Sequence, residues 1–141
     1  MANVAVVYWS GTGNTEVMAN LVVEGVKAAG GNAELLVANN FESGMVSEYD
    51  AIAFGCPSMG DEILEEDEFE PMFTDVESSL TGKKIGLFGS YGWGDGLWMR
   101  NWEVRCMSRG MKLVGSGVIA NEFPNEEDAE NCRNLGKTLA S

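Results

Sequence analysis

Short apolar runs alternate along this chain with stretches whose apolar residues recur at helical spacing. Val4 to Val7 is the first run. It is followed by Val17, Leu21, Val22, Val26 and Ala29, spaced for a helix from about Asn14 to Ala29 that Gly30-Gly31 ends. Ala33 to Val37 reads as a second strand, and Asn39 to Ser47 as polar and irregular, with at most a weak turn of helix. Ala51 to Gly55 is continuously apolar, as a strand covered on both faces would be. Phe69, Met72, Phe73, Val76 and Leu80 predict a helix over the acidic stretch Glu65 to Ser79, with Pro71 in its first turn, where a missing N–H is harmless. Lys84 to Gly89 predicts the fourth strand, Leu97 to Arg109 a helix closed by Gly110, Lys112 to Ala120 the fifth strand, and Asn125 to Leu139 the last helix. With no repeats or linkers, the alternation predicts one domain over residues 1–141: an α/β doubly wound, five-stranded parallel sheet with helices on both faces.

In such a sheet the ligand lies beyond the carboxyl ends of the strands, at the switch in strand order. Three loops there are unusual. Tyr8-Trp9-Ser10-Gly11-Thr12-Gly13-Asn14-Thr15 joins the first strand to a helix start with hydroxyls, glycines and no Lys or Arg. Backbone amides and the helix dipole favour an anion in that setting. The ATP-type loop would need a Lys, and the dinucleotide fingerprint fails because Glu16 stands at its third glycine. A phosphatase loop would need a Cys and an Arg. Both a phosphate loop working by hydrogen bonds and an ordinary capping turn fit these residues. The second loop, Cys56 to Glu62, presents Met59 and Gly60 among polar groups. The third, Ser90 to Gly96, sets Tyr91 and Trp93 among glycines, an exposure of aromatics that favours a flat ligand over the alternative of Trp93 capping the core. A planar ring on a phosphate chain would serve all three loops.

Charge narrows the classes. Nine basic residues against twenty-two acidic give a net charge of −13, which argues against nucleic acid and against an anionic membrane surface. Between Gly30 and Gly82 stand thirteen carboxylates and no Lys or Arg, which favours a docking face for basic partners over a merely solvated helix. The start lacks a charged leader and no apolar run is long enough to span a membrane, so a cytoplasmic address is expected. Cys56, Cys106 and Cys132 lie in no metal spacing and read as buried thiols. There is no histidine, so redox or acid–base chemistry would have to come from elsewhere, such as a cofactor.

From end to end the sequence resembles the flavodoxins, above all the short-chain type of anaerobic bacteria. Three segments carry the resemblance: Tyr8 to Thr15, Met59-Gly60-Asp61-Glu62, and Phe88-Gly89-Ser90-Tyr91-Gly92-Trp93-Gly94. It implies a low-potential one-electron carrier using flavin mononucleotide (FMN) through a stabilised neutral semiquinone, monomeric, serving basic-faced redox proteins. By resemblance, Ser10, Thr12, Gly13, Asn14 and Thr15 would hold the phosphate, with Gly11 also binding the cofactor. Trp93 would stack on one face of the isoalloxazine and Met59 cover the other. Gly60, Asp61 and Glu62 would meet its N5 and N3 edge, and Gly92 its pyrimidine side, with Ser58, Ser90, Tyr91 and Gly94 completing the contacts. Many flavodoxins use a Trp and Tyr pair instead, so their stacking and potentials do not transfer. The rival readings are an FMN-dependent NAD(P)H oxidoreductase, for which no spare basic loop is present, and a flavin- or phosphate-binding module.

Overall fold

The first apolar run becomes β1 (Asn3–Tyr8), buried from Val4 onward, in a computed structural model that describes residues 1–141. A strand with no exposed face belongs mid-sheet. β1 pairs in parallel with β2 (Asn32–Val37) on one side and with the fully buried β3 (Ala51–Gly55) on the other. β4 (Lys84–Tyr91) follows β3, also in parallel. The chain fills the β2 side of β1 first and then crosses to the β3 side, so the switch in strand order falls between β1 and β3.

The fifth position differs from the continuous strand expected over 112–120. Two short strands, β5 (Lys112–Leu113) and β6 (Val118–Asn121), share the edge of β4. Ile85 faces Leu113 and Phe88 faces Val118, so Val114 to Gly117 oppose only Gly86 and Leu87, and two residues bulge out. Gly115 turns there at φ +82, and Gly117 passes so near Met99 that a Cβ would stand 2.4 Å from its sulfur. The apolar residues on either side hide the bulge from a hydrophobicity pattern.

α1 (Asn14–Ala28) and α4 (Glu126–Ala140) cover one face of the sheet. α2 (Phe69–Val76) and α3 (Leu97–Ser108) cover the other, where Phe54 of β3 meets Phe41, Phe69 and Phe73 edge-on. The polar stretch before β3 forms two 3₁₀ turns, Ala38–Asn40 and Ser43–Glu48, which bury Phe41 and Val46 beneath α2.

α2 is shorter than the helix expected over 65–79. A 3₁₀ turn, Glu77–Ser79, extends its end, while residues 65 to 68 form a turn before it. Glu65 explains the start: its carboxylate, 6% exposed, accepts the amides of Asp67, Glu68 and Phe69, each at 2.8 Å. A side chain that takes three local amides replaces the helical turn those amides would otherwise extend.

α1 and α4 cross on glycine. A Cβ on Gly25 would stand 1.9 Å from the Arg133 carbonyl oxygen, and one on Gly136 would stand 2.1 Å from the Val22 carbonyl oxygen. Both obstacles are backbone, so the helices would have to part. Alanine normally favours a helix over glycine by about 1 kcal/mol, but overpacking costs about 1–3 kcal/mol. Gly136→Ala should therefore lower the melting temperature by a few degrees. A variant that melts higher than the parent would show that propensity outweighs the close crossing.

Candidate cofactor site

The carboxyl end of β1 leads directly into a cradle. Gly13, at φ +100, caps α1 in a left-handed conformation that glycine adopts without strain. Ser10 Oγ accepts the Gly13 amide at 3.1 Å and the Glu16 amide at 3.3 Å, which closes the loop on itself. The amides of Gly11, Thr12, Asn14 and Thr15 donate to no protein group. Thr15 is buried; its hydroxyl lies 2.9 Å from Ser90 Oγ and accepts the Ser90 amide at 3.3 Å, tying the cradle to the end of β4.

The loop after β3 is a tight reversal. Met59 and Ile63 exchange both backbone hydrogen bonds, at 2.8 and 2.9 Å, around Gly60 (φ +49) and Glu62 (φ +58). Glu62 Oε1 accepts the Leu97 amide at 3.3 Å, at the start of α3. The same carboxylate fills the space beside Gly94, where a Cβ would stand 2.2 Å from it. Glu62 thus ties the loop after β3 to the loop after β4. Ser58 donates its amide to the Ser90 carbonyl at 3.0 Å, a second tie between these loops.

Of the residues expected at the site, Ser10, Gly11, Thr12, Asn14, Thr15, Ser58, Met59, Ser90, Tyr91 and Gly92 converge on one cleft of about 230 Å³ at the switch point. Gly13 lies behind it as the cap of α1. Gly60, Asp61, Glu62, Trp93 and Gly94 stand outside its lining, on the two flanking loops, with Trp93 62% exposed. Trp9, Pro57 and Glu122 also line the cleft, although the sequence reading assigned them no contact. Trp9 and Pro57 lie inside the two loops and could have been included. Glu122 follows β6, holds φ +60 and donates its amide to the Tyr91 carbonyl at 2.8 Å, and no motif marks it.

Chemically the cleft has two ends. At the α1 end, four unpaired amides and the hydroxyls of Ser10 and Thr12 suit a phosphate, and no Lys or Arg lines the wall. At the other end Met59, Tyr91 and the bare backbone of Gly92 suit a flat ring, since a Cβ on Gly92 would touch only Glu122, at 3.9 Å. A flavin ring on a phosphate-ended chain fits both ends. Cys56, just below, is no candidate nucleophile because burial pushes its thiol well up; burial likewise pushes the buried Cys106 and Cys132 up to about 12.

The family model for flavodoxin matches residues 6–136. The flavodoxin of Megasphaera elsdenii is 47% identical, covering 97% of this chain and 98% of its own, and that of Clostridium beijerinckii is 41% identical, covering 96% and 98%. The solution structure of two-electron reduced Megasphaera elsdenii flavodoxin superposes with a TM-score of 0.90 over 97% of this chain and 98% of that one. With the cradle at the switch point, the flat slot beside it and matches of this extent, the chain belongs to the flavodoxin family, electron carriers that work with bound FMN.

Proposed function

We propose that this protein carries single electrons at low potential between larger redox enzymes, holding FMN in the cleft between the loops after β1, β3 and β4. The observation that supports this most directly is the cradle of four unpaired amides at the α1 N-terminus, opening into a slot walled by Met59 and Tyr91. FMN would supply the redox chemistry by taking up and releasing electrons one at a time. The amides of Gly11, Thr12, Asn14 and Thr15, with the hydroxyls of Ser10 and Thr12, would hold its phosphate. Met59 would cover one face of the ring, and Trp93, already exposed on the loop after β4, would close over the other. Gly60, Asp61 and Glu62 would border the ring on the turn after β3, where Glu62 keeps that turn fixed to α3. Titrating the purified chain with FMN and recording visible spectra during stepwise reduction tests the proposal. Two separate one-electron steps are expected; a colourless protein after FMN addition, or steady NADH consumption without a reductase, would refute it.

The acidic segment supports a basic partner, over a smaller area than its composition suggests. Of its thirteen carboxylates, Glu34, Asp50, Glu62, Glu65, Glu68, Glu70, Asp75 and Glu77 accept hydrogen bonds inside the protein. Glu42, Glu48, Asp61, Glu66 and Asp67 remain, and the last three are exposed in the segment that follows the carboxyl end of β3, as the cleft residues Pro57, Ser58 and Met59 do. These would draw in a basic redox protein and oppose electron build-up on the bound cofactor. Asp61→Asn, Glu66→Gln and Asp67→Asn together should raise the more negative reduction potential, by on the order of 30 mV per charge at low salt. They should also slow electron transfer with a basic partner. Potentials and rates unmoved by all three changes would leave these carboxylates as solvation only.

A further inference from the structure

Trp9 stands between the cofactor cleft and a second groove, and it lines both. The groove lies on the β2 side of the phosphate loop, among Tyr8, Ser10, Glu16, Val37, Ala38, Asn39 and Glu68, and Ser10 reaches the cleft as well. Two contacts fix the indole. Its ring lies against the loop backbone, so that a Cβ on Gly11 would stand 3.1 Å from Cη2. Its Nε1–H donates to Glu68 Oε1 at 2.8 Å, while the other oxygen of Glu68 accepts from Asn39 Nδ2. Glu68 is itself held, because its amide donates to the buried Glu65 carboxylate.

Resting on the FMN reading above, we propose that Trp9, anchored by Glu68, is the wall that ends the cofactor cleft and makes it select a flavin with a terminal monophosphate over one whose phosphate is joined through an anhydride to a second phosphate. Trp9 and Ser10 are the two residues that line both the cradle cleft and the groove, so the indole stands where one passes into the other. Beyond it, Glu16 and Glu68 face the groove, with no cation among its lining residues. A second phosphate and a nucleoside on that side meet a fixed ring and then two carboxylates. Steric and electrostatic exclusion together discriminate between ligands that share every contact up to the phosphate. Trp9 is thus a specificity residue, and Glu68 and Asn39 position it.

The test measures affinities for FMN, flavin adenine dinucleotide (FAD) and riboflavin by quenching of flavin fluorescence. The wild type should prefer FMN over FAD by at least about 100-fold, and in Trp9→Ala that ratio should fall at least about tenfold. Glu68→Ala keeps the ring and frees it, so it should lower the ratio by a smaller factor, whereas Glu68→Gln retains an acceptor for the indole and should restore the steric part of the ratio, leaving only the loss due to one carboxylate. Should Trp9→Ala fail to fold, the Glu68 pair still decides. Riboflavin, which lacks the phosphate that the wall confronts, should lose affinity by a smaller factor than the FMN to FAD ratio does in each variant. An FMN to FAD ratio unchanged in Trp9→Ala and Glu68→Ala overturns the wall, as does a change matched by an equal loss of riboflavin affinity, which marks general loosening. A wild type that binds no FMN overturns the functional reading itself.

Discussion

Replacing Glu65 by alanine should remove about 3–5 kcal/mol of stability, because its buried carboxylate accepts three backbone amides. A hydrogen bond to a charged group contributes about 1.5–3 kcal/mol, and the contributions here are not additive. The Phe69 amide is buried and would be stranded; those of Asp67 and Glu68 could partly turn to water. Burial by itself would raise the Glu65 carboxyl, but the three amides outweigh it and hold the carboxyl below its ordinary value. A carboxyl lowered in the folded state adds stability that is fully present above its unfolded pKa, about 4.3, and is lost as pH falls through the folded value. The wild type should therefore lose stability on acidification below about pH 4.3, and Glu65→Gln should show less of that loss. Urea unfolding of the wild type and Glu65→Ala at pH 7, and of the wild type and Glu65→Gln from pH 7 down to about pH 3.5, measures both effects. Equal midpoints at pH 7 in the first pair, or the same acid loss in the second, would show that the capping turn does not depend on this charge.

Glu65 also marks where sequence reasoning reaches its limit. The runs that became β1 and β3 were legible because a strand without an exposed face must be apolar at every position. The cradle was legible because an anion site at a helix start needs glycine, hydroxyls and little else. Local rules suffice in both cases. Glu65, Glu62 and Glu68 look alike in sequence, as members of one acidic run, yet one caps α2, one bridges two loops and one anchors Trp9. Which amide or indole a carboxylate meets is fixed by elements far away in the chain, and no periodicity encodes that. The same holds for Gly25 and Gly136, whose partners are carbonyls on the opposite helix. The bulge at 114–117 was hidden for another reason: Gly115 and Gly117 interrupt an apolar run too briefly to break its pattern.

FMN should bind at least about a thousandfold more tightly than riboflavin, and added salt should not weaken it. The first expectation follows from the number of donors. Four amides without protein partners face the cleft from the α1 N-terminus, and each charge-assisted hydrogen bond contributes about 1.5–3 kcal/mol. Even with dehydration of the phosphate set against them, two net bonds of about 2 kcal/mol each, within this range, reach about a thousandfold. The second follows from what is missing from the wall. No Lys or Arg lines the cleft, and the protein carries a net charge of −13. The long-range field thus repels an anionic ligand, and screening relieves that repulsion. FMN affinity should hold steady or rise between low and moderate salt, whereas a phosphate site built on cations would lose affinity. Thr12→Ala should cost about ten- to a hundredfold in FMN affinity by losing one donor to the phosphate. Thr15→Ala should cost a similar factor by a different route, since the Thr15 hydroxyl meets Ser90 and sets the loop against β4. Riboflavin should separate the two. Thr12→Ala should leave riboflavin affinity unchanged, while Thr15→Ala should lower it as well, because Ser90 and Tyr91 wall the ring end of the cleft. Equal affinities of the wild type for FMN and riboflavin, or an FMN affinity that falls steeply with salt, would show that the α1 amides are not what holds the phosphate.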